Sequence, residues 1–171
     1  MRIFVVPRYF VEKQIDKNQD WILGKWIISI FSKAGFSPIP VDRYNILKLQ
    51  FDDVSDRDFD CAGNLVFFDQ ALASQVWDFI KQIRDDGSKP FYIHCDAGVS
   101  RSGAVGYMLN EYFNKFLDNR AADREAFERD NSHIMPNPLV VRLLKQEFFG
   151  NDYRGVFTND YTFVQLPPRQ A

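Results

Sequence analysis

A central, largely parallel β-sheet covered by helices is the fold this sequence predicts, and three observations point to it. Short apolar, β-branched runs alternate with segments of helical periodicity, the pattern of an α/β chain. One run, Phe91-Tyr92-Ile93, leads through a loop of small residues into a helix. Open α/β sheets place ligands at the carboxyl end of such a strand. The 171 residues, 46% of them hydrophobic, suffice for one substantial core and so for one domain, 1–171.

Taken in order, Arg2 to Val6 predicts a short buried strand ended by Pro7. Lys25 to Phe31, rich in β-branched and aromatic residues, predicts a second, although Asp20 to Lys33 also fits helical spacing. Gly35, Pro38 and Pro40 mark the connection to a third strand, Ile46 to Phe51. From Leu65 to Arg84, Phe68, Leu72, Val76, Phe79, Ile80 and Ile83 recur every three or four residues, an amphipathic helix stopped by Asp85-Asp86-Gly87. The Phe91 strand, its loop and a helix from about Ser102 to Phe116 follow. Ala121 to Arg129 predicts a charged, exposed helix. Asn137 caps a last one with Pro138 in its first turn, running to about Phe149. The tail 151–171 carries Tyr153, Phe157, Tyr161 and Phe163, a composition suited to packing on the domain.

A net charge of -2 provides no global field for nucleic acid or anionic membrane, so neither is an expected partner. Two cysteines exclude a disulfide framework, and a working thiol suits a reducing compartment. The four apolar residues before Pro7 are too few for a signal peptide, and no apolar run approaches membrane-spanning length. The expected location is the cytoplasm. No spacing of His, Cys and carboxylates suggests a metal site, and no cofactor is implied. His133, beside Ser132, is expected at the surface.

Chemistry concentrates in Ile93-His94-Cys95-Asp96-Ala97-Gly98-Val99-Ser100-Arg101-Ser102. Between strand and helix, such a loop turns its backbone N–H groups inward and adds the positive end of the helix dipole, forming a cup for a tetrahedral oxyanion. Asp96 to Ser100 line it. Arg101 offers a planar fork for two phosphate oxygens, and Gly98 suits a sharp turn and a close approach. A free thiol has a pKa near about 8.5, and all these groups favour the anion at Cys95. His94 is expected to orient the loop through ring hydrogen bonds rather than act as a base. The Ser102 hydroxyl is placed to donate to the thiolate. The implied reaction is in-line attack of Cys95 on phosphorus, then attack of water on the phosphocysteine.

The string His94-Cys95-x-x-Gly98-x-x-Arg101-Ser102 resembles the HCxxGxxR[ST] motif of cysteine-dependent protein tyrosine phosphatases, closest to the small dual-specificity-like branch. The resemblance is strongest over residues 25–149, and Pro136-Asn137 is similar to a PN step common in that family. It implies a protein tyrosine/dual-specificity phosphatase-like fold, with Cys95 as nucleophile, Arg101 binding phosphate and Ser102 assisting. The expected substrate is a phosphorylated protein or small phosphomonoester.

The family takes its general acid from an aspartate that follows a strand upstream of the cysteine. Asp53, at the end of the Ile46–Phe51 strand, matches first, then Asp52, then Asp56. The interval from Asp53 to Cys95 is longer than usual in the family, and the polar stretch Asp56 to Asn64 accounts for it as an insertion. The acidic Asp96 disfavours multiply charged lipid headgroups. Asp42-Arg43-Tyr44-Asn45 superficially resembles the NRY segment of larger phosphatases but lies too near the cysteine. An RNA 5′-triphosphatase and a phosphate-reading module with weak or no turnover are the alternative readings. Cys61 is a small apolar side chain or, alternatively, a resolving thiol for oxidised Cys95.

Overall fold

The computed structural model describes residues 1–55, 65–83 and 88–150 in full, and beyond them the backbone of two short strands. Strands β1 (Ile3–Pro7), β2 (Trp26–Phe31), β3 (Ile46–Gln50) and β4 (Phe91–Cys95) form a sheet in the order β1-β4-β2-β3. Every neighbouring pair is parallel, as the alternation of elements predicts. All four carboxyl ends therefore share one edge, which brings together Arg8, Ser32, Phe51 to Asp53, and Cys95.

Alternation along the strands separates two cores. Phe91, Ile93 and Cys95 of β4, with Ile28 and Ile30 of β2, join the larger one. Tyr92 and Ile27 face a smaller one built on Val11, Ile22 and Ile39. The larger face is covered by α2 (Gln70–Ile83), α3 (Arg101–Asn110), α4 (Ala121–Asp130) and α5 (Pro138–Phe149), the smaller by α1 (Arg8–Lys17) and a 3₁₀ turn, Gln19–Ile22. Nine of the ten residues of α3 are buried, which makes it the central helix; it runs on into a π-helical stretch, Glu111–Leu117.

Two elements depart from the expectation. The segment after Pro7 is helical from Arg8 without an intervening loop, and α1 buries only Val11, so its apolar signal is faint. The helix expected from Leu65 starts at Gln70, because Asp69 caps it. The Asp69 carboxylate accepts from Leu72 N at 2.9 Å, and its carbonyl from Ala73 N at 3.0 Å. Phe68 is buried ahead of the helix against Phe51, their ring centroids 4.8 Å apart. The cap at Asn137 is as expected: its side chain accepts from Leu139 N and Val140 N, with Pro138 at the first turn. Tyr44 is exposed and Asn45 is tied to the carbonyls of Ile22 and Lys25, at the edge opposite Cys95.

Strands β5 (Gly155–Phe157) and β6 (Phe163–Gln165) pair antiparallel. The expected packing of the tail aromatics lies outside the described residues, as do Asp56, Cys61 and the Asp85-Asp86-Gly87 stop. Among the described residues, no helix is long and apolar enough to cross a membrane.

Candidate active site

The loop from Asp96 to Ser100 is held from outside by its carbonyls. Asp96 O accepts from Arg8 N at 3.2 Å, Val99 O from Met135 N at 3.1 Å, and Ser100 O from Asn137 N at 3.2 Å. In a trans peptide the N–H points opposite to the carbonyl. The amides of Ala97, Ser100 and Arg101 therefore face away from these outside donors. Gly98 has φ 74°. A Cβ there would lie 2.5 Å from Pro7 N and 2.6 Å from the Val6 carbonyl carbon, so glycine is required by the end of β1 as well as by the turn.

Cys95 is buried at the base of this loop, and its Sγ lies 3.1 Å from Ser102 Oγ on the first turn of α3. The hydroxyl thus reaches the sulfur as expected. Arg101, 5% exposed, is clamped on one side. Its Nη1 donates to Ser32 Oγ at 2.8 Å and to the Phe51 carbonyl at 3.0 Å, and its Nη2 donates to Asp96 Oδ2 at 2.6 Å. Its Nε is buried with no hydrogen-bond partner. A buried guanidinium N–H left unpaired is costly, and an oxyanion in the cup would satisfy it.

The two adjacent aspartates have different partners. Asp53 Oδ1 accepts from Ser100 Oγ at 2.7 Å and from Asn137 Nδ2 at 2.8 Å, which fixes an exposed carboxylate to the loop. Asp52 is occupied with the backbone: Oδ1 accepts from Lys33 N at 3.2 Å and Oδ2 from Val66 N at 2.8 Å. Of the two, only Asp53 reaches the loop.

His94 is 1% exposed, and neither ring nitrogen has a hydrogen-bond partner. The expected ring bonds are not made at hydrogen-bond geometry, although the Cys95 backbone lies close enough to act on the ring. Burial pushes its pKa down from 6.5 to about 4; Arg8 acts in the same direction, and the Cys95 backbone, Asp96 and Glu12 oppose. The imidazole is a neutral packing group on the smaller face of the sheet. Sequence reasoning missed Ser32, the Phe51 carbonyl, Arg8 and the Asn137 tether, all of which act across the sheet edge. Among the described residues, no group of three His, Cys, Asp or Glu is gathered to hold a metal.

A loop with the Cys95 sulfur at its base thus stands at the carboxyl edge of a parallel sheet, an arrangement that can be compared with known proteins. Residues 67–141 match the family described as a DSP-PTPase phosphatase fused to NAD+ kinase. The chain is 26% identical over 153 residues to "MAP kinase phosphatase with leucine-rich repeats protein 1" of Dictyostelium discoideum, covering 83% of this chain but only 16% of that protein's length. In structure it is similar to the human tyrosine phosphatase-like serine/threonine/tyrosine-interacting protein, with TM-score 0.55, 20% identity, and 85% and 89% of the two chains covered. It is also similar to the PTP-2 phosphatase of Cydia pomonella, with TM-score 0.53, 16% identity, and 98% and 95% covered. These likenesses show that the chain has the fold of those phosphatases, and the sequence match to a family of that type covers residues 67–141.

Proposed function

We propose that this protein is a phosphomonoester hydrolase of the protein tyrosine/dual-specificity type, working through a phosphocysteine. The observation that carries the proposal is the buried, unpartnered Nε of Arg101 in a loop that has the Cys95 sulfur at its base. A phosphate seated there pairs with Arg101 and the inward amides, and its phosphorus faces Sγ for in-line attack. The S–P bond forms as the P–O bond to the leaving group breaks, and Asp53 gives that oxygen its proton. Water then attacks the phosphocysteine with Asp53 taking its proton. The Cys95 thiolate leaves, stabilised by the Ser102 hydroxyl, and inorganic phosphate is released. The cup needs only protein groups for these steps, so turnover without added metal is part of the proposal.

In this reading 1–171 acts as one phosphatase-like domain, and the substrates are phosphorylated proteins or small phosphomonoesters in the cytoplasm. The test is turnover of p-nitrophenyl phosphate by the wild type and by Cys95→Ser. The wild type is expected to hydrolyse it in the presence of EDTA. Cys95→Ser should lose turnover yet retain phosphate binding. Activity that survives the substitution, or that disappears with EDTA, contradicts the mechanism.

A further inference from the structure

Arg101 meets a second anion inside its own loop. Its Nη2 donates to Asp96 Oδ2 at 2.6 Å, the distance at which a phosphate oxygen would take the same proton. Asp96 is half-exposed, and it follows the cysteine directly, at the mouth of the cup. The guanidinium does not depend on this contact for its orientation, because Nη1 is already fixed by Ser32 Oγ and the Phe51 carbonyl. The carboxylate therefore competes for the phosphate-binding fork rather than merely bracing it.

A second seat for the carboxylate lies beside the first. Asp96 Oδ1 is 4.0 Å from Arg8 Nη1. Arg8 is held in place by its backbone N–H on Asp96 O, by Nε on Glu12 Oε1 at 2.7 Å, and by the Phe36 ring 4.4 Å from its guanidinium carbon. Ser32 Oγ, 3.3 Å from Asp96 Oδ2, spans both sides of the exchange. A small rotation of Asp96 about its side-chain bonds frees Nη2 and moves the charge onto Arg8.

Resting on the phosphatase reading above, we infer that Asp96 is a specificity-determining latch: its carboxylate occupies Arg101 Nη2 and yields it only when an entering phosphate drives it towards Arg8. The latch weakens the affinity for every phosphate. It acts most strongly against ligands carrying a second anionic group close to the first, since that group meets the displaced carboxylate at the mouth. The preferred substrate class is a singly phosphorylated residue whose flanks are neutral or basic.

The test is calorimetric titration of inorganic phosphate into the wild type, Asp96→Asn, Arg8→Gln and the double variant, with p-nitrophenyl phosphate kinetics alongside. Asp96→Asn is expected to bind phosphate about tenfold more tightly and to lower KM in parallel. Arg8→Gln should weaken phosphate binding in the wild-type background and have no effect once Asp96 is Asn, since Arg8 acts through that carboxylate. If the wild type turns over but Asp96→Asn binds phosphate no more tightly, the latch is overturned and the phosphatase reading stands. If Arg8→Gln weakens binding equally in both backgrounds, the exchange between seats is overturned. A wild type that neither binds phosphate nor turns over overturns both.

Discussion

Cys95 and His94 are neighbours in the chain, but strand alternation sends them to opposite faces of the sheet, and the two faces are built differently. Behind Cys95 lies the larger core, where α3 buries nine of its ten residues and is packed among α5, β1 and β4. Behind His94 lies a thin layer in which α1 buries one residue, Val11, and presents Arg8 and Glu12 to the site. The thick side fixes the groups whose positions must not vary: the sulfur, the guanidinium and the Ser102 hydroxyl. The thin side holds Arg8 beside Asp96, the pair that on the proposal above sets how a ligand is received. A rigid floor and an adjustable rim thus come from one strand's alternation.

The comparison breaks if the two faces respond alike to the same kind of damage. Leu109, fully buried in α3, and Val11, fully buried in α1, are matched for this purpose. Leu109→Ala should cost about 2–5 kcal/mol by denaturant titration. Val11→Ala removes fewer atoms from a thinner layer and should cost about 1–2 kcal/mol. Equal losses would dissolve the distinction between floor and rim.

The next effect, smaller than the upper end of that range, lies with His94. Its folded pKa is depressed to about 4 from 6.5. Between those values the unfolded chain binds the proton and the folded protein does not. Its contribution is therefore fully present above pH 6.5 and is lost as pH falls through that window, by about 3 kcal/mol at most. Carboxylates weaken the protein in acid as well, so the measure is the difference between chains. His94→Gln should lose less stability than the wild type between pH 7 and pH 4.5 in parallel urea titrations. Identical pH slopes would remove His94 from the thin face's polar balance.

At the mouth, Asp53 and Asp52 sharpen the same contrast in kinetic terms. Asp53→Asn should lower kcat by about 10²-fold for poor leaving groups and far less for one that needs no proton. Asp52→Asn should weaken the ties to Lys33 and Val66 and so act on stability, with little leaving-group dependence. If the dependence followed Asp52 instead, the acid would be reassigned.

Local chemistry was legible in the sequence where a few neighbouring residues dictate it. The Cys95-to-Ser102 string needs only a strand before it and a helix after it, and the Asn137-Pro138 start of α5 is set by its own side chain. Helix α1 escaped because a single buried residue leaves little periodicity to find. The clamp on Arg101 escaped for a different reason. Ser32, the Phe51 carbonyl and Asn137 meet the site only because four parallel strands end at one edge, and nothing in Ser32's immediate sequence marks it. The requirement for glycine at position 98 was visible, but its cause was incomplete: the close approach is to the backbone of β1.

The account stands on a covalent bond between sulfur and phosphorus, so the most direct measurement is to look for it. Asp53→Asn mixed with p-nitrophenyl phosphate should slow release of the intermediate; acid quenching, digestion and mass spectrometry then locate the phosphoryl group. The account predicts it on the peptide containing Cys95, absent from Cys95→Ser. Turnover with no adduct, or with the phosphoryl group on a histidine, would contradict it.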